Sequence, residues 1–115
     1  MGKKILVLED EPAARAPLAD VLEIEGHTVY AYESAEAAAH HLMETDCDVA
    51  VIDVKLPGRF GDDYARELGE KRPTARIIFL TGEYKLDDLK EKVPSALCLS
   101  KPVDMDVLLA LINAA

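Results

Sequence analysis

Five short apolar runs recur along the chain, each followed by a stretch with helical spacing, and this alternation constrains the fold more than any other feature. Ile5-Leu6-Val7-Leu8, Thr28-Val29-Tyr30-Ala31 and residues 48–53, 76–80 and 96–99 are too short for stable helices and are bounded by turn residues. Such runs read as strands, and where both faces are covered the apolar character is nearly continuous. Between them, Ala14, Leu18, Val21 and Leu22 fall at helical spacing after Pro12, a residue suited to a first helical position, and before Gly26. Ser34 is placed to cap an alanine-rich helix over 34–43. Tyr64, Ala65 and Leu68 form the stripe of a third helix that ends before Pro73. Residues 85–92 have room only for a short helix closed by Pro94, and Val107, Leu108, Leu111 and Ile112 define a last one over 104–113. Pro17 lies inside the first helical stretch, where its missing amide predicts a kink or a late start.

Strands alternating with helices imply βα units and a parallel sheet, and right-handed crossovers make a doubly wound open sheet of class α/β the economical solution. At 115 residues the chain is expected to be one domain over 1–115, without linker or repeat. A net charge of −9 argues against a nucleic-acid surface and suits cationic partners or metal ions. The N-terminus runs directly into strand residues without a signal-peptide pattern, and no apolar run approaches membrane-spanning length, so a cytoplasmic location is expected. Cys47 and Cys98 lack CxxC spacing and are expected to be buried in strand-like runs. His27, His40 and His41 do not fall at strand ends, and a surface or half-buried place is expected for all three.

In an open parallel sheet all strands end at one edge, where ligands bind. The residues at those ends are Glu9, Asp10 and Glu11 after the first strand, Asp53 after the third, Thr81 after the fourth and Lys101 after the fifth. Each has a bland reading when taken alone: acids before a helix are favoured by its dipole, Thr81-Gly82 is a turn, and Ser100-Lys101-Pro102 is a solvated loop. Together they form a site. Carboxylates about 4 Å apart repel by roughly 1 kcal/mol in water and roughly 4 at an effective dielectric of 20, and one lysine cannot balance three of them. The set suits a hard divalent cation such as Mg2+, which takes one or two carboxylates, waters and a phosphate. Asp53 could then act as a nucleophile toward a phosphoryl group, with Lys101, the Thr81 hydroxyl and backbone amides near Val54, Lys55 and Gly82 binding its oxygens.

Along its whole length the chain resembles the receiver domains of two-component response regulators. The matching features are Ile5-Leu6-Val7-Leu8-Glu9-Asp10-Glu11, Val51-Ile52-Asp53-Val54-Lys55-Leu56-Pro57-Gly58, Leu80-Thr81-Gly82 and Ser100-Lys101-Pro102. The resemblance implies a flavodoxin-like strand order 2-1-3-4-5. It also implies Asp53 as phosphoacceptor, and Mg2+ held by Asp10, Asp53 and the Lys55 carbonyl, with Glu9 acting through a water. Thr81 and Lys101 would bind the phosphoryl oxygens. The implied partners are a sensor histidine kinase or phosphorelay histidine protein and an unknown downstream protein, with no nucleic acid and no membrane. Such a domain is a signalling module whose only chemistry is its own phosphorylation and dephosphorylation.

Cys98 stands three residues before the lysine, where receivers usually carry Tyr or Phe, and the segment between Thr81 and Lys101 is about two residues short. Both features, with Phe79-Leu80-Thr81-Gly82-Glu83-Tyr84, give a partial likeness to the "FAT GUY" single-domain receivers, from which Leu80 and Glu83 depart. A short or irregular fourth helix is therefore expected. Lys55 and Glu83, two residues after Asp53 and Thr81, are expected to tune the lifetime of the phosphorylated form; exposed loop charges without kinetic effect are the alternative. Two rival functions remain at this level: a receiver-fold interaction module that is never phosphorylated, and a haloacid-dehalogenase-type phosphatase, disfavoured because Lys55 replaces the second acid of Asp-x-Asp.

Overall fold

The computed structural model describes residues 2–40, 46–54, 61–82, 91 and 93–114. Five strands form one parallel sheet: β1 (Lys4–Leu8), β2 (Thr28–Tyr32), β3 (Val49–Asp53), β4 (Arg76–Thr81) and β5 (Leu97–Ser100), in the order β2-β1-β3-β4-β5. Three helices lie among the described residues: α1 (Pro12–Ile24), α2 (Gly61–Lys71) and α3 (Met105–Asn113). The expected strand order and sheet are present, and each predicted strand is displaced by no more than a residue or so at its ends.

The apolar runs form strands because both faces of the sheet are covered. Successive side chains of a strand point to opposite faces. Ile5, Val7, Val49, Val51, Ile78 and Leu80 therefore meet Leu18 and Leu22 of α1 and Leu108 and Ile112 of α3. Leu6, Leu8, Ala50, Ile52, Ile77 and Phe79 meet Tyr64, Ala65 and Leu68 of α2 on the other side, with Ala35 and Ala38. All five residues of β3 are buried, including Asp53. The pairing Ile52↔Phe79 and Leu8↔Ile52 aligns the strand ends, so the residues that follow β1, β3, β4 and β5 emerge at one edge.

Several local expectations are corrected. α1 already starts at Pro12 and includes Pro17, so the late start does not occur. The Ala13 carbonyl loses its donor there, but Ala13 and Pro17 are both exposed, so water can solvate it. Ser34 does act as a cap, its Oγ accepting the Ala37 amide at 3.0 Å. Residues 35–38 are nonetheless a turn, helix begins only at 39–40, and the remainder of that expected helix lies outside the described residues. His27 is buried rather than at the surface or half-buried, its Nδ1 accepting the Lys3 amide at 3.0 Å, whereas His40 is exposed against Tyr32. Cys47 is buried as expected, but Cys98 is only half-buried in β5, opposite Phe79. His41, Lys55, Glu83 and nearly all of the expected short helix over 85–92 fall outside the described residues.

Candidate functional site

The first strand delivers its two acids directly. β1 ends at Leu8, and the Glu9 amide, donating to the Tyr32 carbonyl at 3.1 Å, extends the β1–β2 pairing by one residue. Glu9 thus stays in the sheet plane and is almost fully buried. Asp10 follows in the connection to α1 and is the most accessible of the site's acids. Asp53, the last residue of β3, is buried. One carboxylate oxygen each from Glu9, Asp10 and Asp53 lies within 4.8 Å of the others.

Lys101 reaches this group from the far end of the sequence. Its amide donates to the Thr81 carbonyl at 2.9 Å, which ties the chain leaving β5 to the end of β4. Its Nζ then lies 2.7 Å from Asp53 Oδ2 and 3.2 Å from Glu9 Oε2. Thr81 is buried at the end of β4. The sequence-predicted residues Glu9, Asp10, Asp53, Thr81 and Lys101 are therefore gathered at one edge; Lys55, the other predicted member, is not among the described residues.

The electrostatics follow from crowding acids where water is scarce. Burial, reinforced by the negative charge of Asp53, pushes the Glu9 carboxyl above its ordinary value, and the Glu11 amide and Lys101 offset this only in part. Burial alone would lower the Lys101 ammonium, but its hydrogen bond and charge interaction with Asp53, and then with Glu9, outweigh that and raise it. Lys101 is therefore a firmly protonated counter-ion. Of the three formal carboxylate charges at the site it balances one.

Two residues at the site carry no sequence-level signal. Gly61 opens α2 against β3: its amide donates to the Val54 carbonyl at 3.0 Å, and a Cβ there would run into the Asp53 carbonyl oxygen. Only a glycine allows α2 to start that close to Asp53. Arg15, in α1, donates to the carbonyls of Glu9 and Asp10. Neither contact has a periodicity or motif that would reveal it. Beside the site a groove of about 460 Å³ opens between α1 and the chain after β5, walled by Ala14, Pro17, Leu18, Val21, Leu80 and Met105, with Glu9 and Lys101 at its polar end.

A parallel sheet of this order, with three acids and a lysine gathered at its carboxyl edge, defines an α/β protein of the flavodoxin-like class. The family model described as the response regulator receiver domain matches residues 5–113, and the chain belongs to that family. It is 36% identical over 113 residues to the two-component response regulator PhoP of Pseudomonas aeruginosa, covering 96% of this chain and 50% of that protein. To the transcriptional regulatory protein TcrA of Mycobacterium tuberculosis it is 34% identical over 115 residues, covering 98% and 46%. The chain thus spans about half the length of these curated relatives. Among solved structures, a CheY-like response regulator receiver domain protein from Methanospirillum hungatei JF-1 superimposes with a TM-score of 0.91 at 25% identity, covering 99% of this chain and 93% of that one. No helix among the described residues is long and apolar enough to cross a membrane.

Proposed function

We propose that this chain is a phosphoacceptor receiver in which Asp53 takes a phosphoryl group from the phosphohistidine of a sensor histidine kinase or relay protein. The group is then passed on as a signal by protein–protein contact, or held as a shuttle or sink. The observation that carries the reading is Lys101 Nζ, 2.7 Å from Asp53 and 3.2 Å from Glu9, inside a set of three carboxylates. In the transfer an Asp53 carboxylate oxygen attacks phosphorus. An O–P bond forms as the N–P bond breaks, and the electron pair of that bond returns to the donor imidazole. Lys101 and the Thr81 hydroxyl bind the equatorial oxygens, whose charge they offset.

Three clustered carboxylates and one ammonium form a hard-oxygen donor set with excess negative charge, the chemistry that fits Mg2+. Asp10, Asp53 and Glu9, the last through a water, would hold the ion, together with the Lys55 carbonyl. When bound, the ion supplies positive charge opposite the phosphoryl oxygens. Lys101 alone leaves that charge under-compensated. An apolar groove adjoins Glu9 and Lys101 at the site. In this reading the chain acts on no external substrate.

Incubation with Mg2+ and a small phosphodonor is expected to yield a base-labile adduct of one phosphoryl mass by intact mass spectrometry, absent in Asp53→Asn and absent in EDTA. No adduct in the unmodified protein would favour a receiver-fold interaction module that is never phosphorylated. An adduct that survives Asp53→Asn would move the acceptor elsewhere.

A further inference from the structure

Arg15 lies about one turn into α1, and its guanidinium reaches back over the helix start. Nη1 donates to the Glu9 carbonyl at 2.9 Å and to the Asp10 carbonyl at 3.4 Å. These carbonyls belong to the two peptide units on either side of the Asp10 Cα. Because a peptide unit is planar, holding both carbonyls restrains the orientation of both units, and with them the direction in which the Asp10 side chain leaves the backbone. The same connection returns the Glu11 amide to Glu9 Oε1 at 3.3 Å, so the Glu9 carboxylate is set by the same piece of chain.

Local helix energetics do not explain an arginine here. The N-cap residue of α1, Glu11, makes no side-chain cap, and the helix has no acid in its first turn. A cation this close to a helix N-terminus is opposed by the helix dipole. The tertiary bonds to the Glu9 and Asp10 carbonyls supply the reason instead. A single guanidinium nitrogen carries two hydrogens in fixed directions and can serve two neighbouring carbonyls; an ammonium is a strongly hydrated point charge without that geometry.

We infer that Arg15 is a positioning residue of the cation site: it clamps the two carbonyls flanking Asp10 and so keeps Asp10 and Glu9 aimed at Asp53. The clamp rests on this structure alone, and its consequence for a cation rests on the function proposed above. Groups that orient metal ligands from behind typically matter by about 10–100-fold in affinity.

The test is calorimetric titration of Mg2+ into unphosphorylated protein at fixed pH and ionic strength, with hydrogen exchange of the Glu11 amide followed by NMR in metal-free buffer. Arg15→Gln is expected to weaken Mg2+ binding by roughly tenfold or more, and Arg15→Lys to recover part of that loss. In Arg15→Gln the Glu11 amide is expected to exchange faster while the β4 amides keep their protection. An Arg15→Gln protein with unchanged affinity and unchanged Glu11 exchange overturns the inference, as does one in which protection falls throughout the sheet. If the unmodified protein takes up no Mg2+, the cation reading of the proposed function fails, and the Glu11 exchange comparison alone decides the clamp: faster exchange upholds it and unchanged exchange overturns it.

Discussion

Cys47 shows how far burial alone can shift a side chain's chemistry. Its thiol sits just before β3, packed with the apolar cluster under α2, and burial pushes it up to about 11, with a further push from Asp48 and a partial offset from Arg72. The folded chain therefore holds this proton more tightly than the unfolded chain, whose thiol titrates near 9.0. The stability this contributes is intact below pH about 9 and is lost as pH rises through about 11. In urea unfolding, the unmodified protein is expected to lose ~2 kcal/mol more than Cys47→Ala between pH 8 and pH 11. His27 makes the complementary point. Its position away from the strand ends suggested a surface or half-buried place, yet it is buried, with the Lys3 amide, 24 residues away, donating to Nδ1. Apolar residues announce burial in the sequence, but a buried polar residue depends on a partner that only the fold brings near.

At the scale of elements, pattern and structure agree where the driving force is local. β3 is five buried residues in a row and reads as a strand from composition alone. α3 begins where Asp104 accepts the amides of Asp106 and Val107, a cap of a common side-chain type. Agreement fails where an element's fate depends on how exposed it is. Pro17 predicts a kink or a late start, but an exposed carbonyl can turn to water, and α1 starts ahead of it at Pro12. The start of α2 is the reverse case. Gly61 looks like an ordinary loop glycine, but it is what lets a helix N-terminus press on the Asp53 backbone. Gly61→Ala must displace either α2 or the end of β3. It is expected to cost about 1–3 kcal/mol in urea unfolding, as overpacked sites typically do, and to slow phosphorylation of Asp53 by a small phosphodonor.

At the scale of the whole molecule, the site is assembled from chain positions that are far apart. Glu9 and Lys101 are separated by 92 residues, and Asp53 lies 48 residues from Lys101. The unfolded chain has no such cluster, so a cation that binds the site binds the native state alone. Mg2+ at 100 times its dissociation constant is expected to raise the unfolding free energy by about 2.7 kcal/mol, an increment that Asp10→Asn should largely abolish in denaturant titrations. By itself the sequence determined the strand–helix alternation, hence a doubly wound parallel sheet, and it determined which residues emerge at the carboxyl edge. Hydrophobic periodicity and turn chemistry are local properties, and parallel topology converts them into position. Only the tertiary structure decided that Lys101 divides its charge between Asp53 and Glu9, that Gly61 must be small, and that Arg15 reaches back to the Glu9 and Asp10 carbonyls. Those are distances of a few ångströms between residues on different elements, set by how the helices pack on the sheet, and no one-dimensional pattern encodes them.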